Sequence, residues 1–359
     1  MELPNITLET YLQTVPATEY HNGVLVDYYS KYKSIKDYLI SNVYKDVTAG
    51  ANFQELEMYF NDHGIDHINT VIERATQLVK AIDCKLSPKE VYFLLCSILI
   101  HDVGNIYGRY KHEQNLGKVI QDIQNLFSGD STEQRIIYQI AKAHGGKTDR
   151  GSKDTIQDIK DKYFNNEMVK TQLISAILRF GDELADDRNR ASLQMLKDKL
   201  LFHRPSEVFH AYSASISNVI IDHNTHSVNI DFSIPINFLD RTFGKLEEKV
   251  FLIDEIYQRL LKVHLELKYC QKYMNRYIPL DKILVSVEFI PTGNNPFDNI
   301  TKLPDAFTFT ISETGFPSKP ANRLFDLCPE LILDPSNHKT KDGIYYLNTF
   351  QEINKAEKR

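Results

Sequence analysis

The longest apolar run in the chain, Val91 to Ile100, reads V-Y-F-L-L-C-S-I-L-I and is opened by Ser87-Pro88. Serine followed by proline marks a helix start, and the run is too short to cross a bilayer, so the pattern predicts a helix buried in a protein core. It stops on His101-Asp102. Leu94, Ile98 and Asp102 fall four apart and His101 follows Ile98 by three, which puts both polar groups on the inward stripe. Burying a carboxylate and an imidazole without partners costs several kcal/mol, and the usual remedies are hydrogen bonds, an ion pair or a metal. For an isolated pair, a core histidine bonded to its neighbouring aspartate would be explanation enough.

Other helical stripes end the same way. Val71, Ala75, Leu78 and Ile82 recur at steps of three and four, and stepping back four from Val71 reaches His67. His67 thus opens a buried face as a candidate ligand. His63, four residues earlier and near the start marked by Asp62 and Asp66, is assigned to the pocket edge or to capping. After Ser131-Thr132, Ile137, Ile140, Ala141 and His144 share a face before Gly145-Gly146 stop the helix, and Lys147 lies just beyond, placed to meet an anion. On a further helix Ile174, Leu178 and Asp182 fall four apart, with Arg179 offering a plain ion pair as the alternative. Three imidazoles and two carboxylates at the ends of four inward stripes are explained most economically by a shared metal centre, because a cation neutralises the carboxylates and fixes the imidazole tautomers. His112, in or just after a polar loop with two glycines, reads on its own as a surface residue, as does His21.

Outside this core the pattern divides the chain. Residues 1–52 read as a helical lead-in, 53–204 as the helical metal-binding core, 205–290 as an α+β extension and 291–359 as an irregular C-terminal segment. The fold class is mainly α, a helical bundle with a small α+β subdomain and a loop-rich tail. From about Phe209 the reading changes to alternation: a weak strand over Tyr212 to Ile221, a turn holding His223 and His226, and a strict period-two run at Val228, Ile230, Phe232, Ile234 and Ile236. A long helix is expected from about Phe243 to Tyr277. Its near-heptad positions offer a homodimer seam, but Phe251, Ile256, Leu261 and Val263 widen the face toward packing on the protein's own sheet. Ile283, Val285, Val287 and Phe289 predict another strand, and Thr308 to Ser312 a short one.

Composition narrows the function classes. The 359 residues are 42% hydrophobic and 25% charged with a net charge of −6, an ordinary globular balance that argues against a broad interface for duplex nucleic acid. Cys84, Cys96, Cys270 and Cys328 show no C-x-x-C pair or framework spacing, and the first residues carry no basic lead or apolar segment. The expectation is a cytoplasmic chain with no membrane span. No P-loop, G-x-G-x-x-G or internal repeat occurs.

The order His, His-Asp, distant Asp resembles the HD superfamily of metal-dependent phosphohydrolases. The carrying motifs are H-x-x-x-V at His67, I-L-I-H-D-V-G at His101-Asp102 and L-R-F-G-D-E-L at Asp182. H-G-x-x-H at His63 and A-x-A-H-G-G at His144 look like the subgroup called HD-CE, over about residues 55 to 200 and more loosely to 290. The resemblance implies His67, His101, Asp102 and Asp182 as ligands of a first metal, His112 and His144 as additions for a second, and Asp102 as the bridge. One departure is that the subgroup tends to read D-E-L-D, whereas Ala185 follows Leu184 here, with Asp186 and Asp187 next.

Mixed imidazole and carboxylate ligands suit one or two divalent ions, manganese, iron or another transition metal, with zinc and magnesium as further options. The implied activity is a phosphohydrolase acting on a phosphoester, a nucleotide or related small phosphorylated molecule, through a hydroxide formed at a metal-lowered water pKa, with Asp102 at the centre of catalysis. Lys147 and Arg190, then Arg109 and Arg188, are the candidates to hold the phosphate, with His63 at the pocket edge. The rival reading is a nucleotide-sensing or regulatory module with a structural metal.

Overall fold

The central helix begins where its sequence says it should. In the computed structural model of the protein, the Ser87 side chain accepts from the Glu90 backbone N–H and the Glu90 carboxylate accepts from the Ser87 N–H, a capping box with Pro88 in the first turn. The structure describes residues 6–16, 20–21, 24–47, 64–81, 84–108, 110–127, 130–148, 150–202, 204–291, 303–313 and 321–357. The chain divides into two compact units: Met1–Leu56, Asp62–Ala185 and Tyr269–Pro279 form the first, and Glu57–Asn61, Asp186–Lys268 and Leu280–Arg359 the second.

The first unit is helical: α1 (Leu8–Thr14), α2 (Tyr28–Asn42), α3 (Ile65–Val79), α4 (Pro88–Ile100), α5 (His112–Asp122), α6 (Ser131–Lys142) and α7 (Thr171–Glu183). Every residue of α4 from Lys89 to Ile100 is buried, and α1, α2, α3, α6 and α7 all pack on it. A helix apolar on all sides has to be the axis of its domain. Its polar groups are satisfied locally: Tyr44 donates to the Leu99 carbonyl at 2.7 Å, and the Tyr92 hydroxyl meets Glu133, which also takes the Lys31 ammonium at 2.6 Å. Where α4 begins, Lys89 donates to the Phe164 carbonyl and pairs with Glu167, tying in the hairpin β1 (Lys162–Phe164) and β2 (Glu167–Val169).

The second unit holds α8 (Leu193–Lys197), α9 (Glu207–Ser215), α10 (Leu252–Met274, whose last turns belong to the first unit), α11 (Gly343–Glu357) and a four-stranded sheet. The strands are β3 (Ile216–Asp222), β4 (Ser227–Pro235), β5 (Lys282–Ile290) and β6 (Phe307–Ser312), ordered β6-β5-β4-β3. The β3–β4 hairpin, with His223 and His226 in its turn, is antiparallel, as is β5–β6, whereas β4 and β5 run parallel and α10 lies in the connection between them. Val228, Ile230, Phe232 and Ile234 alternate inward as their spacing requires, and so do Ile283, Val285, Val287 and Phe289.

Three boundaries differ from the sequence reading. Tyr212 to Ser215, expected as the start of a strand, end a helix: Val208, Ala211, Tyr212 and Ser215 are buried at helical steps, and β3 starts only at Ile216. The helix expected from Phe243 starts at Leu252, because Phe243–Lys245 and Glu248–Val250 form a hairpin whose turn holds Leu246 at φ 52°. Of its near-heptad positions, Ile253, Tyr257, Leu260, Leu267 and Met274 are buried within the chain. The C-terminal segment, between its loops, carries β6 and α11; the α11 stripe, Tyr346 and Ile353, is too sparse to read from periodicity. No single described helix is long and apolar enough to cross a membrane.

Candidate metal centre

Five helix ends converge in the first unit. His67 lies in the first turn of α3, His101 caps the C-terminus of α4 with Asp102 next, His112 is the first residue of α5, His144 sits two residues past α6, and Asp182 is in the last turn of α7. Two glycines permit the approach. A Cβ on Gly104 would lie 2.0 Å from the His112 carbonyl oxygen, so only glycine lets the start of α5 rest on the turn after Asp102. Gly146, at φ +70°, lies where a Cβ would be 2.5 Å from the Glu113 carboxylate.

Carbonyls in the last turns of two helices orient two of the rings. His101 Nδ1 donates to the Ile98 carbonyl at 2.8 Å and His144 Nδ1 to the Ala141 carbonyl at 2.6 Å. A carbonyl only accepts, so the proton of each neutral ring sits on Nδ1 and the Nε2 lone pair is presented to the centre.

Asp102 divides its two oxygens. Oδ2 lies 3.7 Å from His67 Nε2 and 3.6 Å from His101 Nε2, while Oδ1 lies 3.1 Å from His112 Nε2 and 3.8 Å from His144 Nε2. Asp182 Oδ1 joins the first group, 3.1 Å from His67 Nε2 and 3.5 Å from His101 Nε2. In the second group the Nε2 atoms of His112 and His144 are 3.3 Å apart. Two potential metal sites result, His67-His101-Asp102 and Asp102-His112-His144, each with its donor atoms within 4.8 Å of one another. Donors about 2.0–2.2 Å from a common ion sit roughly 3 to 3.5 Å from each other. The described residues therefore fit one ion in each group, with Asp102 shared. His101 Nε2 supports the fit, being buried without a well-aligned hydrogen bond among the described residues.

Charge in the protein itself is unevenly spread. Burial works against a charged ring at His101, but Asp102 and Asp182 outweigh it and push its pKa up to about 9. At His144 burial acts with the neighbouring His101 and His112 rings, and the pKa falls to about 4. Asp182, against the burial that would raise it, is held well below the usual carboxylate range by His101 and His67. The cluster is closed on one side and open on the other: the side chains of His67 and His101 are 1% and 0% exposed, those of His112 and Asp182 20% and 27%. A purely structural site would be sealed all round; this one leaves a face for exchange.

Imidazoles and carboxylates from five helix ends around one shared aspartate define an HD-type domain. The model of the HD-CE family matches residues 53–262, and the chain belongs to that family. No curated protein matches it.

All six residues expected as metal ligands thus come together, His112 among them. Of the described basic residues expected at the phosphate, Lys147 belongs to the first unit and Arg188 and Arg190 to the second. Lys147 is exposed in the turn after Gly146, Arg188 is exposed in a short 3-10 turn of the second unit, and Arg190 in the same turn pairs with Asp186 at 2.7 Å. His63 and Arg109 lie outside the described residues. Arg179 donates to the Lys153 carbonyl and the Thr155 hydroxyl and stacks on Tyr269. Ala185, where the family's second carboxylate would stand, is fully buried; Asp186 is shared between Arg190 and Arg259, and Asp187 caps the turn that follows. One neighbour was missed by sequence reasoning. Glu113, buried with Oε2 3.8 Å from His112 Nδ1, stands beside the ligand ring; at a helix start it resembles an ordinary first-turn acid.

Proposed function

We propose that the protein is a divalent-metal-dependent phosphohydrolase that cleaves a phosphoester of a nucleotide or related small phosphorylated molecule. The observation that carries the reading is the division of Asp102, one carboxylate whose two oxygens face two separate imidazole groups. Ions bound there supply Lewis acidity toward a phosphoryl oxygen and a lowered pKa for water, the chemistry that phosphoester hydrolysis needs at neutral pH. The chain's own residues do the rest. His67, His101 and Asp182 would hold one ion and His112 and His144 the other, with Asp102 common to both, and the imidazole and carboxylate mixture favours manganese or iron. The exposed edge at His112 and Asp182 is the natural approach for substrate. Lys147, Arg188 and Arg190, with His63 and Arg109, are proposed to bind the phosphate. A net charge of −6 supports a small substrate over a long polyanion. Buried cysteines without C-x-x-C or framework spacing fit a reducing compartment, and we propose that the chain is cytoplasmic.

The deciding experiment measures metal content of purified wild type beside Asp102→Ala and His144→Ala, then hydrolysis of bis-p-nitrophenyl phosphate and a nucleotide panel. Wild type should hold up to two transition ions and turn over substrate, with Asp102→Ala losing both properties. Wild type reconstituted with manganese or iron that hydrolyses none of these substrates would sink the enzyme reading.

A further inference from the structure

His144 lies two residues beyond α6, bonded back to the Ala141 carbonyl through its N–H and its ring, and its Nε2 lies 3.3 Å from that of His112. A contact from outside α6 fastens the same segment. The peptide carbonyl just before His144, that of Ala143, accepts a hydrogen bond from the Thr155 hydroxyl at 2.6 Å. That hydroxyl in turn accepts from Arg179 Nη1 at 2.9 Å, so both its donor and its acceptor capacity are used. Arg179 is buried, donates also to the Lys153 carbonyl at 3.2 Å, and rests its guanidinium 4.3 Å from the centre of the Tyr269 ring. Tyr269 closes the far side: its hydroxyl donates to Asp154 Oδ1 at 2.8 Å and accepts from the Ile156 N–H at 3.0 Å, and Tyr273 donates to the same Asp154 oxygen at 2.9 Å.

We infer that Thr155, held by Arg179, is a positioning residue for His144 and so for the ion that His144 shares with His112 and Asp102. The link runs from α7, the helix that carries Asp182, through one guanidinium and one hydroxyl to the backbone beside His144. The contact at the Ala143 carbonyl is next to His144, a residue of the second group alone, so the effect expected of Thr155 falls on one of the two sites. Threonine suits the position because its hydroxyl can give one bond and take another; valine has the same shape and can do neither. The inference rests on the two-ion centre proposed above and not on phosphoester hydrolysis.

The test uses the full chain and Mn2+, followed by equilibrium dialysis and by the electron paramagnetic resonance signal of an exchange-coupled manganese pair. Thr155→Val should keep one ion at wild-type affinity and bind the other about 10- to 100-fold more weakly, as loss of an outer positioning contact does. Its paired signal should fade toward that of His144→Ala, and Thr155→Ser should restore both. Unchanged affinities for both ions in Thr155→Val overturn the inference, and so does a parallel loss of both, which is what mere destabilisation produces. If Thr155→Val fails to fold, the same comparison on Arg179→Lys decides, with selective weakening of one ion in favour and no change or parallel loss against. Wild type that binds a single ion takes down the two-ion centre itself, a result distinct from an unchanged Thr155→Val.

Discussion

Asp102 and Asp182 are the same residue type on the same cluster, yet they do different work. Asp182 turns one oxygen toward His67 and His101, whereas Asp102 faces two groups at once. Asp102→Asn should therefore abolish binding of both ions, while Asp182→Asn weakens only the ion at His67 and His101, a difference that manganese dialysis resolves. The ring of His101 adds a pH dependence. It keeps its proton up to about pH 9, so an ion entering near neutrality has to displace it. Manganese affinity should rise with pH toward about 9, by at most roughly tenfold per unit for one proton, and then level off. Calorimetry in buffers of different ionisation enthalpy should show that proton leaving; an affinity flat over this range would count against the assignment. The same raised pKa stabilises the chelated chain fully below the ordinary imidazole value of 6.5, and that contribution is lost as pH rises through about 9.

Helix ends make the centre possible. Carbonyls in the last turns of α4 and α6 orient His101 and His144, and the start of α5 can reach Asp102 only because Gly104 has no side chain. Gly104→Ala should displace His112, weaken the ion it shares, and cost about 1–3 kcal/mol of stability as overpacking does. Gly145→Ala is the matched control, since a Cβ there meets nothing within 4 Å, and it should change neither metal content nor melting temperature appreciably. Similar effects from the two substitutions would contradict the packing account.

At the scale of the molecule, the candidate metal centre sits at the end of the buried axis α4, so metal binding there would be linked to folding of the first unit. Loading with Mn2+ at 100 times its dissociation constant should stabilise the folded chain by about 2.7 kcal/mol, and a chelator should lower the melting temperature correspondingly. Asp102→Ala should melt at the same temperature with and without metal. If chelation leaves wild type unmoved, the cluster is a packed polar core and not a metal site.

How much of this was legible depends on what periodicity encodes. Spacings of three and four marked the buried faces of α3 and α6, and with them His67 and His144, because a helix repeats every 3.6 residues wherever it packs; α4 and α7 are buried nearly all round, and there it was the polar ending of an apolar run that drew attention to His101, Asp102 and Asp182. His112 was legible too and was passed over: it heads the buried stripe Leu116, Val119, Ile120 and Ile123, but the polar loop before it suggested a surface, and family resemblance had to supply it. Misreading Tyr212 as strand has a similar source, since buried Val208, Ala211 and Tyr212 carry a helical spacing that the alternation of β3 obscured. Tertiary structure alone decided which oxygen of Asp102 meets which ring, that Glu113 lies beneath Gly146, and that Thr155 reaches the backbone beside His144. Sequence spacing specifies a face, whereas the height and angle at which two helix ends meet come from the packing of side chains between them, and those set every distance in the centre.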